Sequence, residues 1–295
     1  MKAVQRIFIP GDEWVYFKIY TGITVADRIL AHALFPAIKK MIKNKVIEKF
    51  YFIRYADPDF HLRLRFLASD HTKVGEVVDV INKVLKPGVN KQFIWKIQLD
   101  TYQREIERYH PSLMIDTESI FYFDSVCIIK IINRLNKMAE ENYRWMISLA
   151  MIDKFLSDWN FTLEEKRDLM ISLSNAFKTE FGFDKYNSKQ FNDKYRVNKL
   201  TVELVLNNKI TDTKYTELVD ILNKRSVEYK NIIATMQQTL AAEKLNVRAY
   251  MGSYLHMTLN RLFAADNRLY ELVVYDFMKR YYASQVAINN QPARS

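Results

Sequence analysis

The stretch His61-Leu62-Arg63-Leu64-Arg65 alternates basic or titratable residues with apolar ones. A β-strand turns successive side chains to opposite faces, so His61, Arg63 and Arg65 share one face while Leu62, Leu64 and Phe66 anchor the other. Residues 50–55 just before it are aromatic and β-branched, and Asp57-Pro58-Asp59 is turn chemistry, which makes 50–66 a strand pair with a tight connection. Like charges side by side on one strand repel. Two adjacent arginines therefore point to an anionic ligand or to buried carboxylate partners, with a solvated sheet face as the alternative.

Two other stretches carry candidate chemistry. In residues 101–109, Arg104 and Arg108 align at i,i+4 if the segment is a helical turn, and Glu105 faces Arg108 at i,i+3, an arrangement that also suits a surface helix laced with ion pairs. In 252–263, read as helix, His256 and Asn260 form a polar edge beside Leu255, Leu259 and Leu262, although a lone helical histidine is usually structural. Between them, Glu118 and Asp124 sit in apolar surroundings and need cations if buried, for which Arg104 and Arg108 are the nearest supply.

The elements that position these residues follow from periodicity. Residues 14–20 read as a strand buried on both faces. Thr24, with Asp27 three residues on, reads as the N-cap of a helix to about 43 that Pro36 bends or breaks. A helix over about 72–85 ends at Lys86-Pro87-Gly88, and 92–99 reads as another strand. From about 118 the pattern is helical, near 118–142, 143–158, 162–180, 187–208, 213–240, 244–265 and 267–287, with a capping box at Thr162 and Glu165. The Met and Tyr residues of these helices read as core. The expected fold is α+β: a small N-terminal mixed or antiparallel sheet packed on a predominantly helical body, one domain over 1–295, sheet-rich to about 110, helical over 111–288, with a disordered tail from about 289.

Composition narrows the function. The 295 residues are 49% hydrophobic, enough for a substantial core, and the net charge of +10 is spread over many lysines instead of forming a nucleic-acid-binding block. With six glycines there is no phosphate-cradling loop, and no zinc-spaced cysteines or dinucleotide fingerprint occur. Cys127, the one cysteine, lies between apolar residues and reads as a buried thiol. No apolar run approaches the roughly 20 residues of a membrane span, and no signal peptide is evident, so a cytoplasmic protein without metal or cofactor is expected.

The motifs FYFIRYADPDFHLRLRF (50–66), DTYQREIERY (100–109), TESIFYFDS (117–125) and HMTLNRLF (256–263), in this order, resemble the C-terminal glutamate-elimination domain of class I lantibiotic dehydratases, a family also found in thiopeptide biosynthesis. EWVYFKIYTG (13–22) fits its opening, and the resemblance runs from about residue 10 to 280. His110-Pro111 departs from it, since the family commonly has glycines there. The resemblance implies that Arg65, Arg108 and His256 are catalytic, with His256 as acid or base. It implies further that Arg63, Glu105, Arg54, His61 and Asn260 support binding of the substrate, strand packing accounting equally well for Arg54 and His61. In the family a glutamyl-tRNA-dependent domain esterifies Ser and Thr of a precursor peptide, and the elimination domain then removes glutamate to leave dehydroalanine or dehydrobutyrine. The expected partners are the glutamylated peptide and a separate glutamylating protein, this chain being a stand-alone subunit that is either a monomer or a homodimer. Two alternatives stand beside this: a formal [4+2] cycloaddition of dehydroalanines, and a non-catalytic peptide-binding scaffold.

Overall fold

A computed structural model describes residues 4–138, 140 and 142–290. The expected tail lies outside these, apart from Asn289, which ends the last helix, and Asn290. In chain order the elements are β1 (Ile7–Phe8), β2 (Trp14–Thr21), α1 (Ile23–Arg28), α2 (Phe35–Lys43), β3 (Ile47–Ala56), β4 (Phe60–Ala68), α3 (Val74–Asn90), β5 (Ile94–Asp100), β6 (Tyr102–Gln103) and α4 (Ile106–Tyr109). The long helices follow: α5 (Met114–Met138), α6 (Asn142–Asp158), α7 (Leu163–Glu180), α8 (Lys185–Leu206), α9 (Thr213–Ala242), α10 (Arg248–Leu262) and α11 (Asn267–Asn289). The fold is α+β, as its periodicity indicates, and both sheets are antiparallel: a four-stranded one in the order β3-β4-β2-β5, and the small β1-β6 pair. No helix among the described residues is long and apolar enough to cross a membrane.

Two compact units form. One joins the sheet region, Met1–Lys137, to Ala234–Ala265, so α5, the end of α9 and α10 belong with the strands; the other comprises Met138–Ile233 and Asp266–Ser295. The boundary at about 110 in the sequence thus separates elements by type and not by packing. Within the helical unit, α7 and α11 pack together around a buried Asp276, which accepts from Lys178 Nζ at 2.5 Å and Arg280 Nε at 2.6 Å. Thr162 and Glu165 make the expected capping box at the start of α7. Tyr229, Met236, Tyr275, Met278 and Tyr282 are all buried in the core, whereas Tyr186 and Tyr270 are exposed.

In the sheet unit β2 is buried along almost its whole length, because helices cover one face and side chains of the neighbouring strands crowd the other. Three local expectations give way to tertiary constraints. Thr24 does not cap a helix: the N-cap is Gly22, without a side-chain bond, and Asp27 is turned inward to meet Arg54. Pro36 does not break the helical run, which widens into a π-helical turn over Ile29–Leu34 so that the proline falls in the first turn of α2, where its missing N–H costs least. Nor does Pro87 end α3, which continues to Asn90. The proline ring is on the exposed side, and Gly88 faces Ile94 so closely that a Cβ there would come within 2.8 Å of its Cδ1.

The departure at His110 has a backbone consequence. His110 adopts φ 66°, ψ 139°, a region comfortable only for glycine, where α4 ends and the chain turns into the short 3₁₀ segment Pro111–Leu113. His110→Gly should therefore be more stable than His110→Ala by about 1 kcal/mol in denaturant unfolding, since both lose the imidazole and only one relieves the strain. Equal midpoints for the two variants would contradict this.

Candidate active site

Strand register decides which side chains share a face. His61, Arg63 and Arg65 on β4 stand opposite Tyr20, Lys18 and Tyr16 on β2, and opposite Tyr55, Ile53 and Tyr51 on β3. The face that the sequence marks as cationic is therefore cationic and aromatic. Arg63 is half-buried with its guanidinium 3.4 Å from the Tyr55 ring centre, and its Nε donates to His61 Nε2 at 3.0 Å. That bond makes Nε2 an acceptor, and Nδ1 then carries the proton it shares with the Asp59 carbonyl at 2.8 Å. Burial, reinforced by Arg63, lowers the His61 pKa although the Asp59 bond opposes it, so the ring is neutral at neutral pH and stacks on Tyr20 at 4.7 Å. Lys18, on the same face, is committed to Asp100.

Arg65 is different. It is only 8% exposed, and its guanidinium sits among three tyrosine rings, 4.5 Å from the centre of Tyr16, 5.0 Å from Tyr102 and 5.2 Å from Tyr51. It makes no hydrogen bond or ion pair with any described residue, and its Nε is buried and unpartnered. The ring faces offer their negative quadrupoles to the cation, yet they leave its N–H donors unused. Burial of the rings raises the tyrosine pKa values, that of Tyr51 to about 12, so all three stay protonated. Arg65 opens onto a small cavity of about 20 Å³ that is also lined by Glu105, Tyr109 and Met257. The Tyr109 hydroxyl is likewise buried without a hydrogen-bond partner.

The segment after β5 is less helical than its spacing predicts. Only residues 106–109 form a turn of helix, while Tyr102 and Gln103 pair with β1 and the Arg104 N–H donates to the Arg6 carbonyl at 2.9 Å. Arg104 and Arg108 therefore diverge. Arg104 turns inward and grips Glu118 with two bonds of 2.7 Å, Nε to Oε1 and Nη2 to Oε2, while the Tyr102 hydroxyl donates to Oε1 at 2.7 Å. This cluster holds the Tyr102 ring beneath Arg65. Arg108 remains about half exposed and pairs with Glu105 at 3.0 Å. The other buried carboxylate, Asp124, is met not by Arg108 but by Arg261 Nη1 at 3.0 Å and by the Thr258 hydroxyl at 3.1 Å.

Helix α10 packs against β3 and α4. It brings Met257 into the wall of the Arg65 cavity, and His256, half-buried, is the adjacent residue on the same helix. Asn260, one turn further on, accepts from the Arg54 N–H and donates to the Arg54 carbonyl, both at 2.9 Å. The Arg54 side chain occupies the opposite face of β3 from Tyr51 and Tyr55. There its Nη2 donates to Asp27 Oδ1 at 2.5 Å and its Nε to the Arg261 carbonyl at 2.9 Å. The structure thus gathers Arg65, Glu105 and the α10 segment around one cavity, sets Arg63 and His61 along the same sheet face, links Arg108 to the cavity through Glu105, and places Arg54 and Asn260 in packing contacts between β3 and α10. Sequence reasoning missed Tyr16, Tyr51, Tyr102 and Tyr109, whose common signal, an aromatic at alternate strand positions or beside the arginines, acquires meaning only once strands are paired.

Removing Arg104 would leave Glu118 buried without its cation. Arg104→Met should therefore cost about 3–5 kcal/mol in urea unfolding, and Arg104→Met combined with Glu118→Leu should recover most of that loss. A fully additive double variant would contradict the coupling.

Comparison with known proteins identifies the family and the fold. Residues 14–282 match the family model described as lantibiotic biosynthesis dehydratase C-term. The subtilin biosynthesis protein SpaB of Bacillus subtilis is 26% identical over 274 residues, covering 90% of this chain and 25% of that protein, so the chain spans about a quarter of the length of the curated relatives it matches. Among solved structures, the tRNA-dependent lantibiotic dehydratase MibB from Microbispora sp. 107891 shares the fold with a TM-score of 0.74 at 18% identity, over 95% of this chain and 29% of that one. The pyridine synthase TbtD from thiomuracin biosynthesis shares it with a TM-score of 0.60 at 10% identity, over 94% and 100%. The order of the four motifs and the match over nearly all of its length agree: the chain belongs to the lantibiotic biosynthesis dehydratase C-terminal family.

Proposed function

We propose that this chain eliminates glutamate from glutamylated Ser and Thr side chains of a ribosomal precursor peptide, leaving dehydroalanine and dehydrobutyrine. The observation that carries the reading is Arg65: a buried guanidinium with aromatic walls, an unpartnered Nε and no direct ion pair among the described residues, Glu105 acting on it only across the cavity, is a seat for an anion. In the elimination a base removes the α-proton, its electron pair becomes the Cα=Cβ bond, and the Cβ–O ester bond breaks to release a carboxylate. Arg65 offers its fork to the glutamyl group and offsets the charge that grows on the departing oxygen. Glu105 orients Arg108 toward the same place through their ion pair. Arg63, held over Tyr55 and against His61, adds positive potential along the path of the peptide. His256 serves as the acid or base, since an imidazole nitrogen can take up a proton from one atom and return it to another within the same site. The glutamyl ester comes from a glutamylating partner, and no cofactor enters the reaction.

The alternative of a cycloaddition between dehydroalanines is supported by the shared fold of TbtD alone. Neutral dehydroalanines would leave the Arg65 cation as unpaired as it is without substrate, which favours the glutamyl reading.

Incubating the purified chain with a glutamylated precursor peptide and following its mass tests this. Loss of glutamate is expected, slowed by about 10²–10³ in Arg65→Ala and abolished in His256→Ala, with Arg65→Lys intermediate because it keeps the charge and loses the planar fork. Unchanged ester mass with the wild-type chain would refute the elimination.

A further inference from the structure

The four-stranded sheet closes one of its edges and leaves the other open. Along the β3 edge, the Phe52 N–H donates to Ser125 Oγ at 3.2 Å and the Phe52 carbonyl accepts from Arg261 Nε at 2.8 Å, while Asn260 takes both backbone groups of Arg54. Side chains of α5 and α10 thus do the work of a missing strand. At the other end β5 pairs with β2 alone, and its outer edge has no hydrogen-bond partner among the described residues. The strand also carries exposed apolar side chains, with Trp95 56%, Ile97 37% and Leu99 40% accessible. An open, apolar edge is a template for another strand, and proteins ordinarily cover or blunt it.

Beside this edge runs a groove of about 450 Å³ between β5 and α3, floored by Phe17, Ile81 and Leu85 and walled by Trp95 and Ile97. Every charged residue lining the groove and its continuation along α3 is a lysine: Lys83, Lys86, Lys91 and Lys96. Lys83 is matched by Asp79, and no carboxylate lines either region. The edge is also continuous with the candidate site. Lys96 lies 5.0 Å from the Tyr20 ring centre, and Tyr20 stacks on His61.

We propose that β5 and the β5–α3 groove bind an extended, acidic segment of the peptide substrate by strand addition. The peptide backbone completes the open edge, apolar side chains of one parity fill the groove beside Ile97 and Leu99, carboxylates of the other parity meet Lys96, which shares the opposite face of the sheet with Tyr20, and Lys86 on the α3 side adds positive potential along the groove. Lys96 blunts the edge against a neutral strand and favours an acidic one. An added strand runs about 14 Å from β4, three strand spacings away. A neighbouring stretch of the same peptide then reaches Arg65. This inference rests on the proposed function for its choice of occupant, a peptide.

The test uses a fluorescein-labelled synthetic peptide of alternating Val and Glu, with fluorescence anisotropy as the readout. Affinity should fall at least tenfold in Lys86→Glu/Lys96→Glu and in Trp95→Ala, and the double variant should instead prefer the same peptide with Lys in place of Glu. The probe carries no glutamyl ester, so binding is read independently of elimination: this binding pattern in a chain that eliminates nothing supports the docking site and refutes the elimination alone. Equal affinity of wild type and Lys86→Glu/Lys96→Glu, or equal affinity of the wild type for the Glu and Lys peptides, overturns the docking site. So does a double variant that keeps the peptide but no longer co-purifies with the glutamylating protein, since that makes the surface a protein–protein contact.

Discussion

A buried arginine without a direct ion pair is the constraint on which the sheet unit turns. Removing a guanidinium from water without a carboxylate in direct contact is costly, and at Arg65 three tyrosine faces surround the cation while Glu105 favours its charge from across the cavity. Each ring is supplied by a different strand, β2, β3 and β6, so the charge is stable only where those strands meet. Tyr102 is held in turn by Glu118, which is held by Arg104. A carboxylate from α5 therefore shapes the site without entering it. Had Glu118 faced Arg65 directly, the anion seat would be filled.

The same economy of buried charge runs through the unit. Arg54 answers Asp27, Arg261 answers Asp124, and Arg104 answers Glu118, each acid buried beside an arginine outside its own helix. Arg63 and Arg65 face aromatic rings instead, and both lie on the face that looks toward the cavity. The division between paired and unpaired arginines is what separates structural cations from those available to a ligand. It also closes the β3 edge, since Arg261 and Asn260 spend their donors on the β3 backbone, whereas β5 at the far side of the sheet receives no such cover.

Several of the local signals were legible because they depend on nearest neighbours alone. The alternation at His61, Arg63 and Arg65 placed all three on one face, and the long helices followed from their periodicity to within a few residues at most ends. Where the reading failed, a distant contact outweighed a local preference. Residues 101–109 have helical spacing, yet pairing of Tyr102 and Gln103 with β1 draws the first half into extended chain and sends Arg104 and Arg108 in opposite directions. Lys86-Pro87-Gly88 has the look of a helix end, yet Gly88 is there to let Ile94 approach.

The sequence by itself determined the fold class, the shared face of the β4 basic residues and, through four ordered motifs, the family, because strand parity, helical period and motif order are properties of the chain taken along its length. Only the tertiary structure decided which arginines are paired, which tyrosines surround Arg65, and which edge of the sheet is left open. Those outcomes depend on strand register and on which helix delivers which carboxylate. Such contacts join residues as far apart as Arg54 and Asn260, and no local pattern encodes them.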